Sequence, residues 1–467
     1  MMPVQPVLLW TDLLLYLLLG VLALYAWQAR RRPHLAAPWR RLARRPAAMA
    51  AAVILSAFVA VGLLDSIHFR PLLPTQTPGA APQYAPETLS LLDQLLRPLR
   101  EQKEKTYSAP FATHLYAMES VEAPDGRIVR IYPRLRYGGA HLGEDLGRRG
   151  SDILLRGVRA TGVAFLLWAA AVALVAIGLA RRHGESWGRA LRRLAKGDTA
   201  LPWRTMLVTF GVILWLACLA GHWTPEWHIL GTDKVGQDVF YLSLKSIRTG
   251  LVIGTLTTLV MLPFALALGI MAGYFRGWVD DVIQYLYTTL NSIPAVLLIA
   301  AAVLVLQVRM DQIPDLTLVE RADLRLLFLC LILGITSWTG LCRLLRAETL
   351  KLREMEFVQA AEAFGVGPAR IMLRHVLPNV MHIVLITLTL EFSGLVLAEA
   401  VLAYVGVGVD PSMHSWGNMI NGARLELARE PIVWWLLTAA FVFMFVLVLA
   451  ANVFADAVRD AFDPRVA

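Results

Sequence analysis

Long apolar runs alternate with charged segments along this chain, and each apolar run is close to twenty residues long. A helix that crosses the hydrocarbon core of a bilayer needs about twenty such residues. The pattern therefore predicts an all-α polytopic membrane protein with about nine transmembrane helices. The predicted spans are Val7–Trp27, Ala47–Leu64, Val158–Ala180, Thr205–Ala220, Gly250–Tyr274, Val282–Leu306, Leu324–Leu341, Val380–Tyr404 and Pro431–Phe454.

Arginine clusters orient these spans. The loops Gln28–Arg45 and Arg181–Arg204 are rich in arginine, and such loops stay on the cytoplasmic side. The first span has its arginines after it and no small-residue cleavage site, so we expect a retained helix with its N-terminus outside. Counting spans from there places residues 65–157 outside the membrane and residues 342–379 and the C-terminus inside.

The amino-acid composition is typical of a membrane protein and argues against a nucleic-acid-binding, disulfide-rich or metal-binding protein. Hydrophobic residues make up 57% of the 467 positions, and the mean hydropathy is +0.56. The basic residues behind the net charge of +9 lie in short loops beside apolar runs, which is typical of membrane orientation and not of nucleic-acid binding. The three cysteines lie in or beside apolar runs, so no disulfide framework is expected. No histidine pair has metal-ligand spacing and no G-x-x-x-x-G-K-[ST] motif occurs, so we expect this chain to bind no metal or cofactor.

A charged stretch, Arg343–Asn379, interrupts the apolar C-terminal half. We call residues 343–379 the polar segment. Its sequence predicts a helix, a break at Gly365, Gly367 and Pro368, and a second short helix that ends at Pro378. Two helices at a tight corner on a membrane surface form a lever that another protein can push.

The N-terminal half contains an internal repeat. His141–Gly162 parallels His228–Gly250, and each copy runs into an apolar span and follows an arginine-rich loop and another span. The first copy has the longer outside loop, in which Pro86–Lys105 predicts an amphipathic helix and Ala123–Tyr137 a hairpin that turns at Pro124, Asp125 and Gly126. This loop predicts a small α+β cap. The predicted domains are a two-helix extension (1–64), the cap (65–157), two further helices (158–226) and a C-terminal core (227–467).

Six blocks in the C-terminal half carry a family resemblance. They are Leu230–Phe240, Gly273–Asp281, Phe357–Asn379 with its F-V-Q-A-A-E-A-F-G-V-G and R-H-V-L-P-N ends, Leu397–Val409, Ser415–Met419 and Arg459–Arg465. In this order they resemble the inner-membrane permease subunit of bacterial ABC importers for dipeptides, oligopeptides and nickel, specifically the second permease of the pair. The resemblance covers about Trp227 to Arg465, so the residues before it form an N-terminal extension.

The resemblance implies a role for the polar segment. Its Gln-Ala-Ala, three residues, Gly and Leu-Pro ending resemble the family's coupling loop, which docks in a groove of the ATPase subunit. Small Ala360 and Ala361 let a partner helix approach, Gly365 relieves the turn, and Pro378 is expected to stop the helix. Gln359 stands where the family has an acid, so the strength of coupling depends on the nearby acids. The implied coupling residues are Glu356, Gln359, Ala360, Ala361, Glu362, Gly365, Leu377 and Pro378.

Polar residues inside predicted spans are candidates for a translocation path, because ionisable groups are costly in hydrocarbon. They are Asn291, Glu391 and Glu399, whereas Pro294 is expected to kink its helix. A second candidate is the outer motif, whose glycines and acids predict a loop that caps the helix starting near Val239 and lacks the ligands for calcium. The outer motif consists of Gly231, Thr232, Asp233, Gly236 and Asp238.

The resemblance implies a transmembrane permease subunit that moves peptides or peptide-like solutes by alternating access and is not itself an enzyme. It also implies the partners: a second homologous permease, two cytoplasmic ATPase subunits that bind ATP and Mg, a periplasmic substrate-binding protein and membrane lipid. The expected location is the bacterial inner membrane, multi-pass, with a periplasmic N-terminus and a cytoplasmic C-terminus. Two other classes stay open from the residues alone: an ion-coupled secondary transporter that uses Glu391 and Glu399, and a membrane scaffold or sensor.

Overall fold

Helices dominate the fold. The computed structural model describes residues 4–31, 33–73, 83–122, 128–310, 312 and 317–462. The hairpin turn at Pro124, Asp125 and Gly126 and the end of the Arg459–Arg465 block lie outside the described residues. The helices are α1 (Trp10–Arg31), α2 (Pro33–Leu42), α3 (Pro46–Ser66), α4 (Leu91–Leu95), α5 (Arg97–Glu101), α6 (Arg149–His183), α7 (Trp187–Lys196), α8 (Trp203–Trp223), α9 (Val239–Phe275), α10 (Gly277–Ser292), α11 (Ala295–Met310), α12 (Leu318–Ser337), α13 (Thr339–Arg353), α14 (Glu356–Ala363), α15 (Pro368–Ile371), α16 (Leu377–Tyr404), α17 (Trp416–Glu426) and α18 (Trp435–Phe462).

The expected number of membrane spans is confirmed. Among the described residues, eight helices are long and apolar enough to cross a bilayer, and a ninth span results if the bent pair α10 and α11 counts as one. The predicted sixth span, Val282–Leu306, falls on this pair, whose axes bend by 86°. Ile293 adopts an extended conformation before Pro294, because a proline disfavours helical geometry in the residue that precedes it. The expected kink is therefore a full break.

The chain divides into two compact units. The first contains Arg40–Thr249 and His414–Phe454 together with the first strand, and the second contains Leu8–Trp39, Gly250–Met413 and the end of α18. The predicted domain boundaries at 64, 157 and 226 stay predictions. Each unit is described by itself below.

Tryptophan side chains join the long helices of the first unit. On α6, the Trp168 indole N–H donates to the Leu207 carbonyl of α8 at 2.8 Å, and the Trp223 indole of α8 donates to the Ile153 carbonyl at 3.0 Å. A Cβ added at Gly211 would lie 2.6 Å from the Trp168 ring, so α6 and α8 pack closely there. Only 11% of the most apolar window of each of these two helices is buried, which leaves broad apolar faces for lipid.

The cap is built from short elements. The predicted helix Pro86–Lys105 is wrong as a single element: β3 (Leu89–Ser90) precedes α4 and α5, which are separated at Leu96. A capping box at Ser90 and Asp93 starts α4, and Pro98 lacks the N–H needed to continue that helix. Two further strands pair antiparallel and confirm a hairpin here, but its first strand, Glu119–Glu122, lies before the predicted start at Ala123. The remaining strands are β1 (Val4–Val7), β2 (His68–Pro71), β4 (Glu119–Glu122) and β5 (Ile128–Ile131), with sheet orders β1-β2-β3 and β4-β5.

Glycines allow close helix packing in the second unit. A Cβ added at Gly273 on α9 would lie 2.5 Å from the Thr349 Cβ and 2.7 Å from the Arg346 carbonyl oxygen of α13. One helical turn earlier, a Cβ at Gly269 would lie 2.8 Å from the Leu345 Cβ. Small residues at such spacing let two helix backbones approach each other in a membrane. This contact holds α13, which carries the start of the polar segment, against α9.

Candidate functional site

The polar segment forms a corner and then rejoins a membrane helix. α13 continues the seventh span, α14 turns away from it, and the chain from Pro368 to Tyr404 is continuously helical. The expectation that Pro378 ends a helix is wrong. Residues Met372–Val376 form a π-helical turn just before Pro378, and this turn shifts the backbone hydrogen bonds so that the missing proline N–H is accommodated.

A glycine turn shapes the corner. Gly365 has φ of +75°, and its N–H donates to the Glu362 carbonyl at 2.9 Å while the Val366 N–H donates to the Ala361 carbonyl at 3.0 Å. This pair of hydrogen bonds is the Schellman motif, in which a left-handed residue ends a helix. A Cβ at Gly365 would meet nothing within 4 Å, so the backbone conformation and not steric contact requires glycine.

One side of α14 is buried and the other is exposed to solvent. Val358 and Ala361 are buried in an apolar cluster. The sequence suggested that Ala361 lets a partner helix approach, but this residue packs inside its own unit instead. Glu356, Gln359 and Ala360 are exposed. After α14 ends, the Phe364 side chain is 87% exposed. Phe364 thus has the size and exposure of the aromatic side chains that anchor protein interfaces.

Ion pairs that the sequence did not reveal fix α13, which leads into this corner, to the neighbouring segment Gly273–Asp281. Arg346 on α13 binds Asp280 of α10 through two nitrogens, at 2.5 and 2.6 Å, and Arg276 pairs with Glu354. The Gly273–Asp281 block, noted only for its resemblance, thus forms the base of the polar segment. Its acids and bases were visible in the sequence, but nothing there identified their partners.

Glu362 and Gln359 are also bound. The Tyr274 hydroxyl donates to the Glu362 carboxylate at 2.8 Å, and the Gln359 side-chain amide donates to the Glu354 carbonyl at 3.3 Å. Both acids of α14, Glu356 and Glu362, are exposed, but Glu362 already accepts a hydrogen bond from its own chain. Leu377 is half-buried against the apolar cluster, and Pro378 is exposed at the start of α16.

The candidate path residues occupy different environments. Asn291 accepts a hydrogen bond from the Thr339 hydroxyl at 3.1 Å, just before the break between α10 and α11. On α16, Glu391 is half-buried and Glu399 is buried. Within the described residues, Asn291 and Glu391 share no hydrogen bond.

The outer motif connects the cap to the start of α9 within the first unit. Asp238 accepts from the backbone N–H groups of Phe240 and Tyr241, at 2.8 and 3.1 Å, which confirms the predicted cap at the start of α9. A Cβ at Gly231 would lie 2.4 Å from the Ser108 carbonyl oxygen, and one at Gly236 would lie 1.9 Å from the Glu104 carbonyl oxygen. Both glycines thus let the cap backbone at Ser108 and Glu104 pack directly against the backbone of the outer motif.

The other side chains of the motif support this joint. The Thr232 hydroxyl donates to the Thr106 carbonyl at 2.9 Å and accepts from the Ser108 N–H at 2.7 Å. The Asp233 carboxylate accepts from the backbone N–H groups of Val235 and Gln237 at 3.0 and 2.7 Å. The motif therefore stabilises a loop and an interface with the cap.

A buried histidine lies at the centre of this joint. His228 is 2.7 Å from Asp238 and 3.4 Å from Glu104. Burial lowers the pKa of His228, but its hydrogen bond to Asp238 and the negative charges of Asp238 and Glu104 together outweigh burial and raise the pKa to about 9. Burial likewise raises the pKa of Glu104, yet His228 and three backbone N–H groups bring it down to about 2. At neutral pH, a buried imidazolium therefore pairs with two carboxylates.

The sequence repeat is matched by a repeated contact. In the first copy, His141 lies 2.9 Å from Asp152 in the first turn of α6 and 3.1 Å from Glu226. His228 and Asp238 hold the corresponding positions at the start of α9. Each histidine is thus placed between an aspartate at the start of its returning helix and a glutamate from the other copy. This parallel supports a duplicated module.

A second buried ion cluster joins the cap to α9. The Lys245 ammonium lies 2.5 Å from Asp65 at the end of α3 and 3.0 Å from Asp93 of α4. The Ser90 hydroxyl also donates to Asp65 at 2.7 Å. Burial raises the pKa of Asp93, but the charge of Lys245 and the hydrogen bonds from Ser90, Tyr241 and Lys245 together outweigh burial, so the net shift is downward. Among the described residues, no group of His, Cys, Asp and Glu has the arrangement of a metal site.

Comparison with known proteins places the C-terminal half. A family model described as the inner membrane component of binding-protein-dependent transport systems matches residues 265–467. The chain is 31% identical over 243 residues to a protein of Brucella suis named as a peptide permease, covering 52% of this chain and 74% of that protein. It is 32% identical to the oligopeptide transport system permease protein of Mycobacterium tuberculosis, with 51% and 76% covered. It is 29% identical to a glutathione transport system permease protein of Pectobacterium atrosepticum, with 51% and 73% covered.

Proposed function

Because this chain belongs to the family of inner-membrane permease components of binding-protein-dependent ABC importers, we propose that its substrates are peptides or peptide-like solutes. The relatives named for peptides, oligopeptides and glutathione support this substrate class. The family assignment sets aside the ion-coupled transporter and the scaffold. Asn291, Glu391 and Glu399 are proposed to line the path at the interface with a second, homologous permease.

Partner ATPases are proposed to dock on the polar segment from the cytoplasm. The observation that carries this proposal is the exposed face of α14, which ends in the 87% exposed Phe364 and rests on the Arg346–Asp280 ion pair. This ion pair matters because α14 can transmit a movement of the ATPase to the membrane helices only if α13 is held rigidly. Two ATPase subunits would bind ATP and Mg, and their closure would act through α14 on α13 and α16.

The proposed orientation follows from this docking. With the polar segment in the cytoplasm, the cap lies in the periplasm and the C-terminus inside, and the N-terminus lies outside. The cap would then be available to a periplasmic substrate-binding protein. Strands and short helices joined to α9 by buried ion pairs form a firm platform for such a contact.

Replacing Phe364 with serine tests the docking. We expect the Phe364→Ser chain to insert and fold normally but to copurify with much less ATPase and to lose at least about tenfold in ATP-driven uptake, since central aromatic anchors contribute about 2 kcal/mol or more to binding. The matched control is Leu425→Ser on α17, which is 72% exposed and on the opposite side in the proposed orientation. Equal ATPase binding by wild type and Phe364→Ser chains would refute docking at α14.

A further inference from the structure

The first unit contains a cavity that the proposed function does not use. It has a volume of about 400 Å³ and lies among the ends of α2 and α6, the helix α7 and the start of α8. This is within the range of small-molecule sites, which hold about 300–1,000 Å³. The lining includes Arg40, Arg44, Arg182, Arg193, Glu185 and Trp203.

The charge of this cavity is strongly positive. Glu185 pairs with Arg193 at 2.8 Å, so this acid and this base neutralise each other. Arg40, Arg44 and Arg182 line the same space, and within the described part of the chain none of their side chains forms an ion pair or hydrogen bond. All three arginines are exposed to solvent. Like charges that line one cavity repel one another, and an anion bound among them relieves that repulsion. Guanidinium groups match phosphate oxygens in geometry.

The surroundings indicate the depth at which the anion would lie. α7 joins the apolar helices α6 and α8 and buries Ala190 and Leu194, while Arg189, Arg192 and Lys196 are exposed and Arg193 is half-buried. A basic amphipathic helix of this kind lies in the interfacial plane of a membrane. Leu179, Leu201 and Trp203 supply an apolar wall beside the arginines. The cavity therefore offers charge for a headgroup and an apolar surface for the start of its chains.

We propose that this cavity binds an anionic phosphate group, supplied by the headgroup of an acidic phospholipid or by a soluble phosphate compound. Basic pockets between membrane helices on the cytoplasmic side bind lipid headgroups in this way. The site lies in the duplicated module, outside the family match at residues 265–467. Bound there, an anion would link the Arg40–Leu42 end of α2 to α6 and α8 within this unit.

The test compares two triple variants of the full chain in mild detergent. Arg40→Gln, Arg44→Gln and Arg182→Gln together empty the cavity of its free charge. The matched control is Arg41→Gln, Arg189→Gln and Arg192→Gln, which removes the same charge from exposed positions that do not line the cavity. Both proteins are titrated with phosphatidylglycerol and phosphatidylcholine by native mass spectrometry, and with inorganic phosphate by calorimetry.

For the lipid source, we expect wild type to prefer phosphatidylglycerol, and the cavity triple to lose about 100-fold in affinity, since each arginine near a headgroup contributes about fivefold. The control should lose about fivefold or less. Inorganic phosphate binding with the same variant profile, without a preference between the lipids, would assign the soluble source. Equal losses in both triples, or no selective binding of either probe, would overturn the site. Arg182→Gln alone, expected to lose about fivefold, keeps the test valid if the triple is unstable.

Discussion

The contact of α9 with α13 gives the sharpest prediction. In Gly273→Ala, the new methyl carbon would lie 2.5 Å from the Thr349 Cβ and 2.7 Å from the Arg346 carbonyl oxygen. Neither atom can rotate away, because a Cβ and a carbonyl oxygen move only with the backbone, and Thr349 is fully buried. The two helices must therefore separate, at a cost of about 1–3 kcal/mol for overpacking.

Two measurements check this cost. The apparent Tm of the purified chain should fall by about 1–3 °C, since an unfolding entropy of about 2 cal/mol/K per residue makes 1 kcal/mol equal to about 1 °C for a chain of 467 residues. In the reconstituted complex, uptake per ATP hydrolysed should also fall, because Arg346 carries the ion pair with Asp280 beneath α14. The shift therefore reaches the proposed docking surface.

A matched glycine on α13 provides the control. A Cβ at Gly340 would meet nothing within 4 Å, so Gly340→Ala should be neutral or stabilising by up to about 1 kcal/mol, the difference in helix propensity. If Gly273→Ala matches wild type in both Tm and coupling, α9 and α13 do not pack as closely as the structure shows. The reasoning from glycine contact would then be wrong.

The remaining predictions concern the glycine turn and the buried histidine. Gly365→Val should reduce uptake strongly without affecting membrane insertion, since a β-branched residue at φ of +75° distorts the turn, whereas Gly367→Ala, in open space at negative φ, should transport normally. The folded-state pKa of His228 is raised from 6.5 to about 9, so its stabilisation is complete below pH 6.5 and is lost as pH rises through 9. The apparent Tm should therefore decline between pH 6.5 and 9 and depend less on pH in His228→Gln; equal slopes would contradict the role of the buried imidazolium.

Local patterns predicted the features that depend on neighbouring residues. Hydropathy located the spans, because bilayer thickness sets their length. Gly365 indicated the turn, because only glycine adopts positive φ at little cost, and Asp238 indicated a helix start through its capping side chain. These inferences need no knowledge of distant contacts.

Features that depend on distant partners could not be predicted. Arg346 and Asp280 are 66 residues apart, and Lys245 and Asp65 are 180 apart, so their pairing follows from tertiary packing alone. The prediction that Pro378 ends a helix failed for a related reason. Whether a proline ends a helix or is accommodated by a π-helical turn depends on how neighbouring helices pack against the chain. Ala361 looked suited to a partner because small residues serve both interfaces and cores.

The exchange of glutamates between the two repeats explains why the cap is part of the structure and not a tethered addition. Glu104 from the cap reaches His228 beside α9, and Glu226 before α9 reaches His141 beside α6. Removing the cap would leave the His228 imidazolium without Glu104 and the Lys245 ammonium without Asp65 and Asp93. Breaking one buried pair costs about 3–5 kcal/mol, which is comparable with the whole stability of many domains. The reciprocal ion pairs of the duplicated module therefore fix the cap to the helices α6 and α9. We expect the cap and these helix starts to unfold together, and the cap to keep its position when a partner binds.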